Sequence, residues 1–266
     1  HIASEMTLGE AIVRGILPTP KYVTTVFRYQ NELAKYQARV DSLRSPGVQD
    51  ANQKYLEALR RALEQADGLD RVFAKHITET RGKYIVFCSS KEHMDEMASH
   101  VPEWFAGVNR NVKVYKTYAS DPEASREFAA FKADEGDCLK LLFCIDMLNE
   151  GVHVEGISGV ILFRPTVSPI IYKQQIGRAL TAGTTAAPLI LDVVNNFEGM
   201  SSISGLQKEM TAAVQRLYVN GEGDKIVAER FEVIEQVHDC RILFERLENS
   251  LSSTWDHYFA AASTYY

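Results

Sequence analysis

Five short stretches of this chain are runs of apolar and β-branched residues, separated by loops or by segments whose apolar residues recur at helical spacing. The runs cover 83–88 (KYIVFC), 112–118 (VKVYKTY), 139–145 (LKLLFCI), 157–163 (ISGVILF) and 188–193 (PLILDV). A run without polar alternation is how a strand covered on both faces reads. The alternation of 112–118 marks a strand nearer the edge. Strands alternating with helices make right-handed crossover units, so the predicted fold class is α/β, a doubly wound parallel sheet. Ligands of such sheets gather at the carboxyl ends of the strands. Ser89, Glu150, Thr166, Ser168 and Asn195 all fall on that rim.

The helical patterns carry their own start signals. Ser168 and Pro169 supply a cap and a first-turn proline, and the helix they open places Tyr172, Ile176, Ala179 and Leu180 in one buried stripe. Gln174, Arg178 and Thr181 line its other side. Gly177 inside that helix costs roughly 1 kcal/mol relative to alanine, which predicts a close approach to the backbone. Asp121 and Pro122 open a second helix with Ala124, Phe128 and Phe131 inward.

Outside 81–198 the strand pattern thins. Residues 1–80 read as a helical extension: a short helix over 8–14, a break, a β-rich piece over 21–27, then long helical patterns. The segment 52–66 puts Tyr55, Leu56, Leu59, Ala62 and Leu63 on one side. Residues 199–266 read as a second, mainly helical extension that continues into a longer protein. It holds a helix over 206–219, a turn at NGEGD, a strand over 226–234, and a stripe of Cys240, Phe244, Leu247 and Leu251.

Composition narrows the function. The 266 residues carry a formal charge of −6, which argues against a protein that coats nucleic acid but leaves room for a local groove. No apolar run approaches the ~20 residues of a membrane span, and the first residues lack the regions of a signal peptide; the expected place is the cytoplasm. Four cysteines without CxxC spacing read as reduced core thiols. The DEGD at 134–137 precedes its strand, so it reads as a solvated turn, and no metal site is expected.

Three segments carry candidate chemistry in order along the chain: IVFCSS ending at Ser90, DMLNEGVHV around Glu150, Gly151 and His153, and QQIGRAL from Gln174. Ser89 and Ser90, at a strand's carboxyl end before a helix, offer hydroxyls and amides to a phosphate; Ser90 also suits a simple helix cap. Together the segments resemble motifs IV, V and VI of superfamily 2 helicases, most closely the DEAD/DEAH-box and restriction-enzyme-like branch. The resemblance implies a RecA-like C-terminal lobe of an ATP-dependent DNA helicase or translocase, with RNA left open as its strand. It further implies Arg178 as an arginine finger, Gln174 and Gln175 as residues that orient the cleft, Glu150, Gly151 and His153 beside the nucleotide, and Ser89, Ser90, Thr166 and Ser168 beside the nucleic acid. Thr181 stands where many relatives carry a second arginine, and His153 where motif V often has Asp.

No GxxxxGK[ST] and no DExH after an apolar strand occurs in the sequence. ATP and Mg2+ are therefore expected to be held mainly by a separate N-terminal RecA-like lobe of the same parent chain, and this segment alone should not hydrolyse ATP. A motor lobe serving a nuclease, as in restriction-type translocases, and a free-standing nucleotide- or protein-binding module are the other readings.

Overall fold

The computed structural model describes residues 6–118, 120–145, 154–163, 175–177, 187–194 and 204–263, with 180, 197 and 199 between them. In chain order the elements are α1 (Leu8–Val13), β1 (Lys21–Val26), α2 (Gln30–Asp41), α3 (Pro46–Gln65), α4 (Leu69–His76), β2 (Gly82–Phe87), α5 (Lys91–Ser99), α6 (Val101–Trp104) and β3 (Val112–Tyr118). There follow α7 (Ala124–Ala133), β4 (Leu139–Ile145), β5 (Ile157–Leu162), β6 (Leu189–Val194), α8 (Ser204–Val219), β7 (Glu232–Glu235) and α9 (His238–Ser263).

Seven strands form one sheet in the order β3-β4-β2-β5-β6-β1-β7, and every pairing is parallel. The expected doubly wound sheet is present, with VKVYKTY at its edge. It has two strands more than the five read from the sequence. β1 lies between β6 and β7, and its KYVTTV sequence hid it: two of its six residues are threonines whose hydroxyls are buried, and a hydropathy reading counts them as polar. Tyr22 in the same strand is fully buried and donates its hydroxyl to the Asp192 carboxylate of β6. The strand expected over 226–234 contracts to Glu232–Glu235. Before it, Val227 and Ala228 both donate their amides to the carbonyl of Val13 at the end of α1.

One face of the sheet is covered by α4, α5 and α6, where Val72, Phe73, Met94, Met97 and Trp104 meet Val86, Leu141, Phe143, Ile161 and Leu191. On the other face Ile12, Val13, Leu206, Met210 and Leu217 of α1 and α8 meet Tyr22, Ile85, Val160 and Ile190. Phe131 of α7 covers Leu142. Each large side chain fully buried this way stabilises by roughly 2 kcal/mol. A third cluster joins α2, α3 and α9 through Tyr36, Leu56, Leu59, Phe244 and Leu247 to Val26 and Val194, the last residues of β1 and β6.

Local differences have plain causes. Tyr55, expected in the buried stripe of α3, is exposed, because the stripe that meets α9 is Asn52, Leu56, Leu59 and Leu63. A Cβ at Gly159 would lie 2.2 Å from the carbonyl oxygen of Leu189, so β5 approaches β6 as closely as only glycine permits. All four cysteines are free and buried, as read.

Candidate functional site

The carboxyl end of β2 leads through Cys88 into Ser89 and Ser90, where α5 begins. Ser90 sits in extended backbone as the N-cap, its Oγ accepting from the amide of His93 at 3.1 Å. Ser89 turns to the same residue: its amide donates to His93 Nδ1 at 3.3 Å and its hydroxyl lies 2.8 Å from that nitrogen. With two donors converging on Nδ1, the imidazole is neutral and carries its proton on Nε2. Burial lowers the His93 pKa and so favours this neutral form. Ser89 and Ser90 thus supply the polar groups read from the sequence, and His93 already engages them.

Beside this loop stands the end of β1. Arg28 has φ of 61°, the only non-glycine positive φ among the described residues. Its guanidinium lies 5.1 Å over the Phe27 ring, and Phe27 meets Trp104 edge-on at 5.2 Å. Trp104 in turn stacks on Phe163, just past β5, and on His100. Arg28 points a two-pronged fork at Glu96 of α5: Nη1 donates to Oε2 at 2.8 Å and Nη2 to Oε1. The hydrogen bond from Arg28 is the chief reason the Glu96 carboxyl is held below its usual range. Lys116 donates to Asp95 at 2.6 Å, one residue earlier on α5.

At the opposite end of the sheet two lysines and one carboxylate are enclosed. Lys83, Lys113 and Lys140 are each the second residue of a strand, β2, β3 and β4. Lys83 Nζ, 10% exposed, donates to the Lys132 carbonyl at 2.8 Å and to Glu135 at 2.9 Å. Asp134, 9% exposed, accepts from Lys113 at 2.8 Å, from the Tyr115 hydroxyl at 2.5 Å and from the amide of Gly136 at 2.7 Å, with Lys140 Nζ 4.0 Å away. The Lys113 and Tyr115 bonds hold the Asp134 carboxyl far below the carboxylate range. Of the DEGD segment expected as a solvated turn, Glu135, Gly136 and Asp137 are exposed, while Asp134 is the hub of an ionic network.

Residues 65–183 match the model of the helicase conserved C-terminal domain. That segment is therefore similar to a helicase C-terminal domain. The matched segment runs from the last residue of α3 through β5 to just past QQIGRAL, so it contains the β3-β4-β2-β5 half of the sheet. No curated relative matches the sequence. Among solved structures, the C-terminal domain of the DEAD-box protein Dbp5 is similar at TM-score 0.45 and 12% identity, over 87% of this chain and 97% of that one. S. cerevisiae Dbp5 bound to RNA and ADP BeF3 is similar at 0.45 and 15%, over 93% of this chain and 48% of that one. The type ISP restriction-modification enzyme LlaBIII bound to DNA is similar at 0.46 and 12%, over 92% and 18%. The chain therefore spans about half the length of one Dbp5 structure and less than a fifth of the restriction enzyme.

Of the residues read as the site, Ser89, Ser90 and Gln175 are described in the lobe. Residues 175–177 are helical, Ile176 and Leu180 are buried as expected, and Gln175 is 4% exposed with its Oε1 lacking a hydrogen-bond partner among the described residues. Glu150, Gly151, His153, Thr166, Ser168, Gln174 and Arg178 lie outside the described residues, as does Asn195. Nothing described lies within 4 Å of a Cβ built on Gly177, so the close approach expected there is not made by the described residues. Arg28, His93 and Glu96 were missed by the sequence reading. Arg28 and Glu96 are 68 residues apart, on different elements, and no spacing rule links them.

Proposed function

We propose that this chain is the second motor lobe of an ATP-dependent DNA helicase or translocase. It works against a first lobe that supplies the phosphate cradle, the lysine and the magnesium carboxylate which this sequence lacks. The observation that carries the reading is the family match over 65–183, whose end falls on QQIGRAL. ATP, when bound with Mg2+, supplies the phosphoryl group that is transferred. This chain's part is to place Arg178 against the developing charge, with Gln174 and Gln175 orienting the cleft and Glu150, Gly151 and His153 beside the nucleotide. The buried Gln175 Oε1, without a hydrogen-bond partner among the described residues, fits that role as an acceptor. Ser89, Ser90, Thr166 and Ser168 face the strand.

The test is Arg178→Ala in a protein holding both lobes. Nucleic-acid-stimulated ATP turnover should fall by about 10³-fold or more with the melting temperature unchanged. Unchanged turnover removes the finger. Anisotropy with DNA and RNA oligonucleotides decides the strand: tighter binding of RNA would overturn the DNA assignment while leaving the motor reading intact.

A further inference from the structure

We propose that Glu96 holds the seat of a nucleic-acid phosphate, and that a backbone phosphate of the bound strand replaces its carboxylate on Arg28. This rests on the reading of the lobe as nucleic-acid-binding at the carboxyl ends of its strands. The Glu96 carboxylate sits against a group that suits an anion, the two-pronged Arg28 fork. A guanidinium fork fits two phosphate oxygens as well as two carboxylate oxygens. Both side chains are 44% exposed, so water already reaches the pair and exchanging one anion for another costs little. Lys83 at the other end, tied to a carbonyl and a carboxylate at 10% exposure, has no such freedom.

Arg28 is also held ready. The left-handed backbone turns it out of the strand, and Phe27, braced by Trp104, forms the floor beneath its guanidinium. The helix that carries Glu96 does not depend on the pair for its place. Met94 and Met97 are fully buried beneath α5, and Ser90 caps it. Glu96 therefore acts as an internal competitor: it keeps Arg28 paired until a strand arrives, and it lowers affinity for free anions.

The experiment uses the full chain with fluorescein-labelled oligothymidylate and oligouridylate, read by anisotropy across a salt series. Glu96→Gln should tighten binding by about threefold to tenfold at low salt, because the competing charge is gone. Arg28→Ala should weaken binding and reduce the slope of log affinity against log salt by about one, and Arg28→Lys should keep the slope while losing part of the affinity. The double variant should match Arg28→Ala. Glu57→Gln on α3 removes the same charge elsewhere and should leave affinity within about twofold. Tightening by Glu96→Gln that persists without Arg28, or that Glu57→Gln reproduces, overturns the proposal. If the wild type binds with a steep salt slope and every Arg28 and Glu96 variant equals it, only this proposal falls. If the wild type binds neither oligonucleotide, the nucleic-acid reading falls with it.

Discussion

The two ends of the sheet use the same residue types to opposite effect. At the amino end the side chains of Lys83, Lys140 and Asp134 are nearly excluded from water, and each is satisfied by further carbonyl, amide or hydroxyl groups. At the carboxyl end Arg28 with Glu96 and Lys116 with Asp95 are half exposed and held by one partner apiece. A buried pair with every hydrogen bond made locks the elements it joins, since removing one member strands the other in low dielectric. An exposed pair is screened and exchangeable, worth about 0–1 kcal/mol. Rigidity at the first end and replaceable partners at the second suit a lobe that holds its sheet fixed while its carboxyl rim takes and releases ligands.

The sharpest way to break this comparison is Asp134→Asn. The variant keeps the shape of the hub but removes the charge that Lys113, Lys140 and Tyr115 share, so it should lose about 3 kcal/mol in urea denaturation. A loss under about 0.5 kcal/mol would make the amino end as shallow as the other. The pH dependence has a fixed sign. Because the folded pKa is depressed, the Asp134 contribution is complete above the unfolded value, near 4, and is lost only as pH falls through the lower folded value. The gap between wild type and variant should therefore hold from neutrality to about pH 4 and close below it.

How much of this was legible beforehand differs between the two ends. The sheet core was plain in KYIVFC, LKLLFCI and PLILDV, because parallel strands buried on both faces leave unbroken apolar runs. β1 was noted as β-rich yet left out of the sheet, since burial of Thr24 and Thr25 depends on partners such as Asp192, Val193 and Glu235, far along the chain. The lysine ring had a readable signal that was passed over: GK, VK and LK open three strands, each with a lysine at the second residue. Ser90 caps α5, which was one of the two readings its position offered, while the capture of Ser89 by His93 needed the helix in place first. For Arg178, which lies outside the described residues, the sequence offers the QQIGRAL pattern alone, with no local physics to add. The Arg28–Glu96 pair was not legible at all, because it joins the end of the sixth strand in sheet order to a helix that follows the third.

A smaller effect separates the ends by direct pairing of variants. Lys83→Met keeps the buried stem but leaves the Lys132 carbonyl without its donor, which should cost about 1 kcal/mol. Arg28→Ala should cost about 0.5 kcal/mol or less, the worth of one exposed pair. Equal losses in parallel urea melts would show that burial does not distinguish them.

The smallest effect sharpens the carboxyl end itself. His93 is neutral in the folded lobe, its pKa lowered first by burial and then by Arg28, against the pull of Glu96. The unfolded chain takes up its proton near pH 6.5, so the stability tied to His93 is complete above that value and is lost as pH falls toward the lower folded one. Protonation also turns Nδ1 from acceptor to donor, which breaks the bond from the Ser89 amide. The melting temperature of the wild type should therefore fall between pH 7.5 and 5.5 by about 2 °C more than that of His93→Gln. His76 is lowered by burial in the same sense, but it is present in both proteins, so the difference isolates His93. Equal falls in the two proteins would mean that the Ser89 contacts do not depend on the imidazole, and the loop would then be open to a phosphate without any displacement.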